Sequence, residues 1–220
     1  MKNSKLRKVL LLACSAVLLV CLSVGATLAY LTSTDTVVNT FTVGNVKITL
    51  DEYKTDLYGV VNTATPRVQT NEYKLIPGHE YAKDPTIHVT AGSEKCILFV
   101  KVTNGIAGIE ADTTIAKQME DLDWEPVTGA EGVYYYEYVV NATDATRDVD
   151  VPVFRTFTIS GTEDVSGYAT VKDEEGKIIG GATIKVIAYA VQADGFDADK
   201  NNAVDDTEAL KAWTDAFGTL

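Results

Sequence analysis

Apolar and polar residues alternate along most of the chain beyond residue 40. Phe41 and Val43 are followed by Val46, Ile48 and Leu50, each two positions after a similar neighbour apart from one Gly-Asn break. This period of two is typical of strands with one buried face, and the runs are rich in β-branched and aromatic residues. The pattern predicts strands at residues 41–50, 86–90, 95–102, 132–140, 151–159 and 182–192.

Turns that contain Gly or Pro separate these runs, as at residues 76–78, 91–93 and 127–129. Short strands joined by such turns are typical of antiparallel sheets. Residues 51–71 keep no sustained period, so we expect a long loop or an irregular edge there. The pattern predicts an all-β fold, an antiparallel β-sandwich.

Two segments depart from the strand pattern and predict helices. A short helix, inserted between strands, is expected within residues 109–122. The second is C-terminal, where Leu210, Trp213 and Phe217 fall on one helical face. Asp205, with Glu208 three positions later, forms an N-cap signature for this helix, which we expect to pack against the sandwich.

The first 29 residues have the composition of an export signal. Four basic residues precede an apolar run at residues 9–24, and small residues follow it. Positive charge holds the N-terminus on the cytoplasmic side, and small side chains admit a signal peptidase. We expect cleavage between Ala29 and Tyr30, which leaves one secreted domain at residues 30–220. A retained anchor is the alternative, although the run is shorter than the roughly 20 residues of a spanning helix.

Cleavage would leave a strongly acidic protein. The chain has 19 basic and 31 acidic residues, and the signal contains four of the basic residues and none of the acidic ones. The remaining 15 against 31 give a net charge of −16. Such a charge argues against binding to nucleic acid or anionic lipid and favours solubility, bound cations or basic partners.

Cysteine usage does not support a disulfide framework. Cys14 and Cys21 lie in the signal, so Cys96 would stand alone in the secreted domain. Its apolar neighbours predict a buried strand, where the thiol is expected to be unreactive rather than catalytic.

Several N-terminal residues match a known pattern. Residues 25–35 read Gly-Ala-Thr-Leu-Ala-Tyr-Leu-Thr-Ser-Thr-Asp, and Asn39, Phe41 and Gly44 follow at the start of the first strand. This region resembles the TasA/camelysin family of exported bacterial proteins, whose signals are processed by a dedicated SipW-like peptidase. Weaker similarities lie at residues 75–78 and 188–195.

The resemblance implies a jelly-roll-like β-sandwich that is secreted to the exterior or cell surface of a Gram-positive-type bacterium. It also implies a subunit or accessory of biofilm matrix or surface fibres, with a SipW-like signal peptidase as a partner. In better-known members, the freed N-terminal segment of one subunit adds as a strand to the next.

The residues of this segment fit that role independently. Val37, Phe41 and Val43 share one side of an extended segment that is rich in Thr and Val. Such a strand offers its backbone to a neighbouring sheet edge, with these side chains filling pockets. We expect a donor strand within residues 30–50, self-association after cleavage and no stable membrane anchor. The alternative is that the segment pairs within its own sheet.

Two other functions stay open. A monomeric secreted module could bind a glycan or protein through the tyrosines of residues 134–138, although packing is the commoner role of strand tyrosines. The name camelysin is associated with metalloprotease activity, and the nearest zinc pattern runs from His79 to Lys83. It has Lys where the second His is needed, and His88 is the only other histidine, so we expect no enzyme.

Calcium is the better metal candidate. Residues 197–208, here called the acidic loop, place oxygen ligands at the spacing of an EF-hand loop. Asn202 replaces the usual Gly at position 6, and a predicted strand stands where the entering helix should be. The alternative is an acidic turn that only caps the last helix. The candidate Ca²⁺ ligands are Asp197, Asp199, Asn201, Ala203 through its carbonyl, Asp205 and Glu208.

Overall fold

The computed structural model describes residues 45–137, 139–169, 171–175, 178–201 and 203–218. Within them the chain is all-β, with antiparallel sheets and two α-helices. The strands are β1 (Ile48–Asp51), β2 (Glu80–Ala82), β3 (Thr86–Val89), β4 (Cys96–Asn104), β5 (Trp124–Pro126), β6 (Val133–Tyr136), β7 (Val149–Pro152), β8 (Thr156–Thr158), β9 (Val171–Lys172), β10 (Ile178–Gly180) and β11 (Ile184–Gln192). The helices are α1 (Ile115–Glu120) and α2 (Asp206–Phe217), and 3₁₀ turns lie at Ala107–Ile109 and Ser166–Tyr168.

The described strands form four sheets, of which two have three or more strands. One has three strands in the order β1-β3-β7, and the other has four in the order β11-β4-β6-β5. Strands β2 and β8 form a pair, as do β9 and β10. The longest ladder joins β4 to β11 from Cys96↔Gln192 to Asn104↔Ile184, so it anchors the larger sheet.

Alternation along β4 divides the buried residues into two apolar clusters. Leu98 and Val100 belong to the larger cluster, which also contains residues of the three-stranded sheet. Ile97 and Phe99 belong to the smaller cluster, together with Trp213 of α2. The two faces of a strand alternate with period two, so β4 is buried on both faces, and α2 covers one of them.

The strand predicted at residues 151–159 is wrong as a single element. The structure has two strands there, because β7 pairs with β3 and β8 pairs with β2. Pro152 ends the first of them, and proline has no N–H to continue a ladder. Val153 instead donates its N–H to the Pro85 carbonyl, and the chain crosses to its second partner.

Both predicted helices are present. The inserted helix is α1, whose N-cap Thr114 accepts a hydrogen bond from the Lys117 N–H. Helix α2 begins with the predicted capping box of Asp205 and Glu208. Leu210 was placed on its buried face but is 40 % exposed, because Ala209, Ala212 and Trp213 form the buried stripe. Among the described residues, no helix has the length and apolar character to span a membrane.

The irregular loop predicted at residues 51–71 is confirmed, apart from Asp51, which ends β1. Isolated bridges between Glu52 and Val68 and between Thr55 and Val61 hold it. The loop continues without regular structure to β2. The stretch from residue 52 to residue 83, here called the 52–83 segment, therefore consists of this irregular chain, β2 and Lys83.

Candidate functional site

The predicted N-terminal site falls outside the described residues. This applies to the cleavage position, Ala29 and Tyr30, and to the assembly residues Val37, Phe41 and Val43. What the structure does describe is the set of sheet edges to which a strand could add.

The longest such edge belongs to β11. This strand has nine residues, lies at the end of the order β11-β4-β6-β5 and pairs with β4. Ala188 and Ala190 are buried in the larger cluster, and Tyr189 and Val191 pack against the smaller one. A strand added at this edge would therefore extend apolar surface on both faces of the sheet.

Most side chains of the acidic loop bond to nearby residues. Asp199 accepts hydrogen bonds from the N–H and side-chain amide of Asn201, whose Oδ1 accepts from the Ala203 N–H at 2.7 Å. Asp205 and Glu208 form the capping box of α2. These contacts explain how the loop turns into the helix, and they match the capping alternative for Asp205 and Glu208.

Asp197 is not explained by capping. Its exposed fraction is 8 %, and among the described residues its Oδ1 has no hydrogen-bond partner. Glu208, at the far end of the loop, reaches back to accept the N–H of Ala198 at 2.7 Å. The first and last candidate ligands are thus brought into the same neighbourhood, and one buried carboxylate oxygen there is free to bind a cation.

The remaining candidate ligands are not gathered around one point. Asp199, Asn201 and Asp205 are exposed, and Asn202 lies outside the described residues. Within the described ranges, no group of three His, Cys, Asp or Glu side chains is arranged to hold a metal. Binding by all the candidate ligands would require the exposed ones to turn inward.

The two histidines occupy different surroundings. His79 Nε2 lies 2.9 Å from the Tyr58 carbonyl oxygen. His88 bridges two carboxylates, with Nδ1 2.6 Å from Asp150 and Nε2 2.9 Å from Asp51. Burial alone would lower the pKa of His88, but the hydrogen bonds and charges of Asp150 and Asp51 raise it above the ordinary value.

The tyrosines of β6 alternate as expected, and they are packed. Tyr134 and Tyr136 lie against the larger cluster, whereas Tyr135 is buried in the smaller one. The Tyr135 hydroxyl donates to Glu125 and lies 3.1 Å from Asp206 at the start of α2. Tyr138 is outside the described residues.

Cys96 is fully buried, as predicted, and it is a free thiol. Burial raises its pKa to about 12, so the thiol stays protonated and is a poor nucleophile.

Sequence reasoning missed a buried polar cluster in the 52–83 segment. Glu52, Asn71 and Lys83 meet there, although Glu52 and Lys83 are 31 positions apart in the chain. No local spacing marks such a group, and the sequence pattern drew attention to Lys83 only as the residue that breaks the zinc spacing.

Comparisons with protein-family models, with curated proteins and with solved structures found no match to this chain.

Proposed function

We propose that this protein is an exported structural protein that builds extracellular fibres, as a subunit or accessory of a biofilm matrix or cell-surface fibre. In this proposal a SipW-like peptidase removes residues 1–29. The remaining chain is a jelly-roll-like β-sandwich whose N-terminal segment adds as a strand to the next copy.

The observation that carries this proposal is the edge position of β11. An edge strand presents backbone N–H and C=O groups that can pair with another strand. At nine residues, β11 is long enough to receive the alternating segment around Val37, Phe41 and Val43. Strand addition gains main-chain hydrogen bonds, and side chains at alternate positions supply specificity.

Electron microscopy of two forms tests the proposal. The chain that begins at Tyr30 is expected to form fibres, and the chain that still carries residues 1–29 is expected not to. Phe41→Asp should abolish the fibres, because it places a charge on the face that fills the pocket. Thr40→Asp adds the same charge on the opposite face and is the matched control, which should still assemble. Dispersed monomers from the form beginning at Tyr30 would overturn the proposal and favour a monomeric binding module.

A second candidate function, calcium binding by the acidic loop, is favoured by the buried and unpaired Oδ1 of Asp197. A buried carboxylate oxygen without a partner is costly, and a bound cation removes that cost. Titration calorimetry with Ca²⁺ should show binding that Asp197→Ala abolishes. Asp194→Ala removes an exposed carboxylate just before the loop and should leave binding unchanged. Absence of heat with the unaltered protein would end the calcium hypothesis.

A further inference from the structure

One buried carboxylate holds an amine and a carboxamide on its two oxygens. Lys83 Nζ donates to Glu52 Oε2 at 2.7 Å, and Asn71 Nδ2 donates to Glu52 Oε1 at 3.1 Å. The side chains of Glu52 and Lys83 are only 5 % and 11 % exposed. The two charged groups therefore meet away from bulk water, and the half-buried Asn71 adjoins them.

The Asn71 amide is held in one orientation. Its Nδ2 also donates to the Tyr53 carbonyl at 2.8 Å, and its Oδ1 accepts from the Thr55 N–H at 3.0 Å. Both acceptors face the nitrogen and the donor faces the oxygen, so the network fits only one assignment. A backbone N–H aimed at a carbonyl oxygen is the arrangement that stabilises negative charge on that oxygen during acyl transfer.

Tyr73 lies near Glu52, on the side of this cluster that faces the core. The Tyr73 ring packs edge-on against Phe157 at 5.0 Å and Tyr81 at 5.7 Å. Burial, and next the charge of Glu52, raise the pKa of Tyr73, so its hydroxyl stays neutral beside the cluster. Apolar surroundings disfavour separated charges, and transfer of one proton within the Lys83–Glu52 pair makes both partners neutral.

We propose that Lys83 and Asn71 form an intramolecular isopeptide bond, with Glu52 as the proton carrier. The Lys83 ammonium gives a proton to Glu52, and the lone pair of the neutral Nζ attacks Cγ of Asn71. The carbonyl π electrons move onto Oδ1, where the Thr55 N–H stabilises the negative charge.

The intermediate then collapses. The Oδ1 lone pair re-forms the carbonyl, the Cγ–Nδ2 bond breaks, and protons carried by Glu52 move from Nζ to Nδ2. The nitrogen of Asn71 leaves as ammonia, an Nζ–Cγ amide remains, and Glu52 ends with the one proton that the ammonium released. One amine and one carboxamide give one amide and one ammonia, so the reaction needs no oxidant, reductant or other co-reactant.

The bond would join Lys83, the residue after β2, to Asn71 in the irregular part of the 52–83 segment. The closed loop contains residues 71–83, which lack regular structure outside β2. A cross-link there stops the segment from opening without breaking a covalent bond. This property is independent of fibre assembly, because it concerns a single copy of the chain.

The alternative is an ordinary buried ion pair with a hydrogen-bonded asparagine. Mass spectrometry of the purified, urea-denatured full chain separates the two. The isopeptide bond lowers the intact mass by one ammonia, about 17 Da. In a tryptic digest, residues 68–74 and 75–95 are expected as one branched peptide joined through Asn71 and Lys83.

Variants identify the source of the mass deficit. Lys83→Arg, Asn71→Ala and Glu52→Gln should each have the full calculated mass. Lys74→Arg and Asn62→Ala are matched controls from the same segment and should keep the deficit. A wild-type chain at its full calculated mass would overturn the proposal. A deficit that persists in Lys83→Arg would also overturn it, because a cyclised asparagine loses ammonia without any lysine. The branched tryptic peptide of the wild-type chain, joined through Asn71 and Lys83, decides the question even if a variant fails to fold.

Discussion

The 52–83 segment and the acidic loop are both irregular and both carry acidic residues, but they hold their charges in opposite ways. In the first, Glu52 pairs with Lys83 across 31 positions, and Arg67 joins Asp51 to Asp84. In the second, most side-chain contacts are local: Asp199 bonds two positions away and Glu208 ten positions back, although Asp206 also accepts a hydrogen bond from the distant Tyr135 hydroxyl.

This difference shows that contacts between residues far apart in the chain make irregular structure rigid. Long-range pairs tie the irregular part of the 52–83 segment to β1 and to the residues just after β2, so its groups can be positioned for a reaction. Local turns shape the first part of the acidic loop, and its later part is tied to β6 and the residue after it through Asp206 and the Val204 N–H. Asp197, in the first part, is left with a buried oxygen that lacks a partner among the described residues. The first region is suited to a fixed geometry and the second to a response to ions.

The largest expected effect comes from Lys83→Met. Where the two residues form an ion pair, this change leaves the Glu52 carboxylate buried without its cation. Where Lys83 is joined to Asn71, the change removes the cross-link. Loss of one partner of a buried pair costs about 3 to 5 kcal/mol. Urea denaturation should show the free energy of unfolding reduced by about that amount.

The matched control for this change is Lys211→Met. Lys211 forms an exposed pair with Asp215 four positions later on α2. Such pairs contribute about 0.3 to 0.5 kcal/mol, so the midpoint should hardly move. Equal losses in the two variants would show that the buried pair contributes no more than a surface one.

Alanine at two glycines compares the packing of the two regions. Gly59 has φ +77°, and a Cβ there would lie 2.7 Å from Tyr81 Cα. Gly195, just before the acidic loop, has φ +97° with nothing within 4 Å of a Cβ. Both variants bear the strain of a positive φ, about 1 to 2 kcal/mol, and Gly59→Ala adds a backbone clash. Thermal unfolding should show the larger fall in Tm for Gly59→Ala, and a reversed order would contradict the close packing of the segment.

The sequence predicted best what depends on neighbours in the chain. The capping box of Asp205 and Glu208 needs residues only three apart, and it is present as expected. Strands β4 and β11 were likewise predicted from local signals, namely runs of β-branched, aromatic and other apolar residues within one strand. Leu210 was misplaced because helical spacing fits more than one stripe, and the small Ala209 and Ala212 allow the closer packing.

The sequence pattern could not predict contacts between residues that are far apart in the chain. Glu52, Asn71 and Lys83 lie in stretches without a period, and only the folded backbone brings them together. The break after Pro152 similarly depends on β3 and β2 being two different partners. The acidic loop could be proposed as a calcium site because the spacing of its candidate ligands is local. That spacing does not reveal that Asp197 is buried while Asp199, Asn201 and Asp205 are exposed.

Asp197→Asn should have a smaller effect, with a sign that depends on calcium. In the presence of chelator, the amide replaces a buried unpaired carboxylate oxygen by a neutral group, and the free energy of unfolding should rise by about 1 kcal/mol. With Ca²⁺ added, only the unaltered protein should gain stability, because a ligand that binds the native state stabilises it. Thermal unfolding with and without Ca²⁺ measures both effects.

Asp194→Asn is the control for this prediction, since Asp194 is exposed and precedes the loop. It should behave as the unaltered protein does under both conditions. If Asp197→Asn loses stability in chelator, the carboxylate has a structural partner and the cation hypothesis loses its main support.

The smallest effect is the pH dependence contributed by His88, which lies beside the 52–83 segment. Both ring nitrogens face carboxylates, Asp150 and Asp51, and Arg67 also contacts Asp51. The pKa of His88 is raised in the folded state, so its stabilising contribution is complete below the unfolded pKa of about 6.5. That contribution is lost as the pH rises through the folded pKa.

Urea denaturation at a series of pH values from about 6 upward therefore should show a decline in the free energy of unfolding that His88→Gln removes. His79→Gln is the matched control, because the His79 ring contacts the neutral Tyr58 carbonyl instead of two carboxylates. It should keep the decline. If the free energy of unfolding of His88→Gln declines with pH as steeply as that of the unaltered protein, the contacts with Asp51 and Asp150 do not favour the charged ring. The ion pairs beside the 52–83 segment would then contribute less to stability than the buried Glu52–Lys83 pair does.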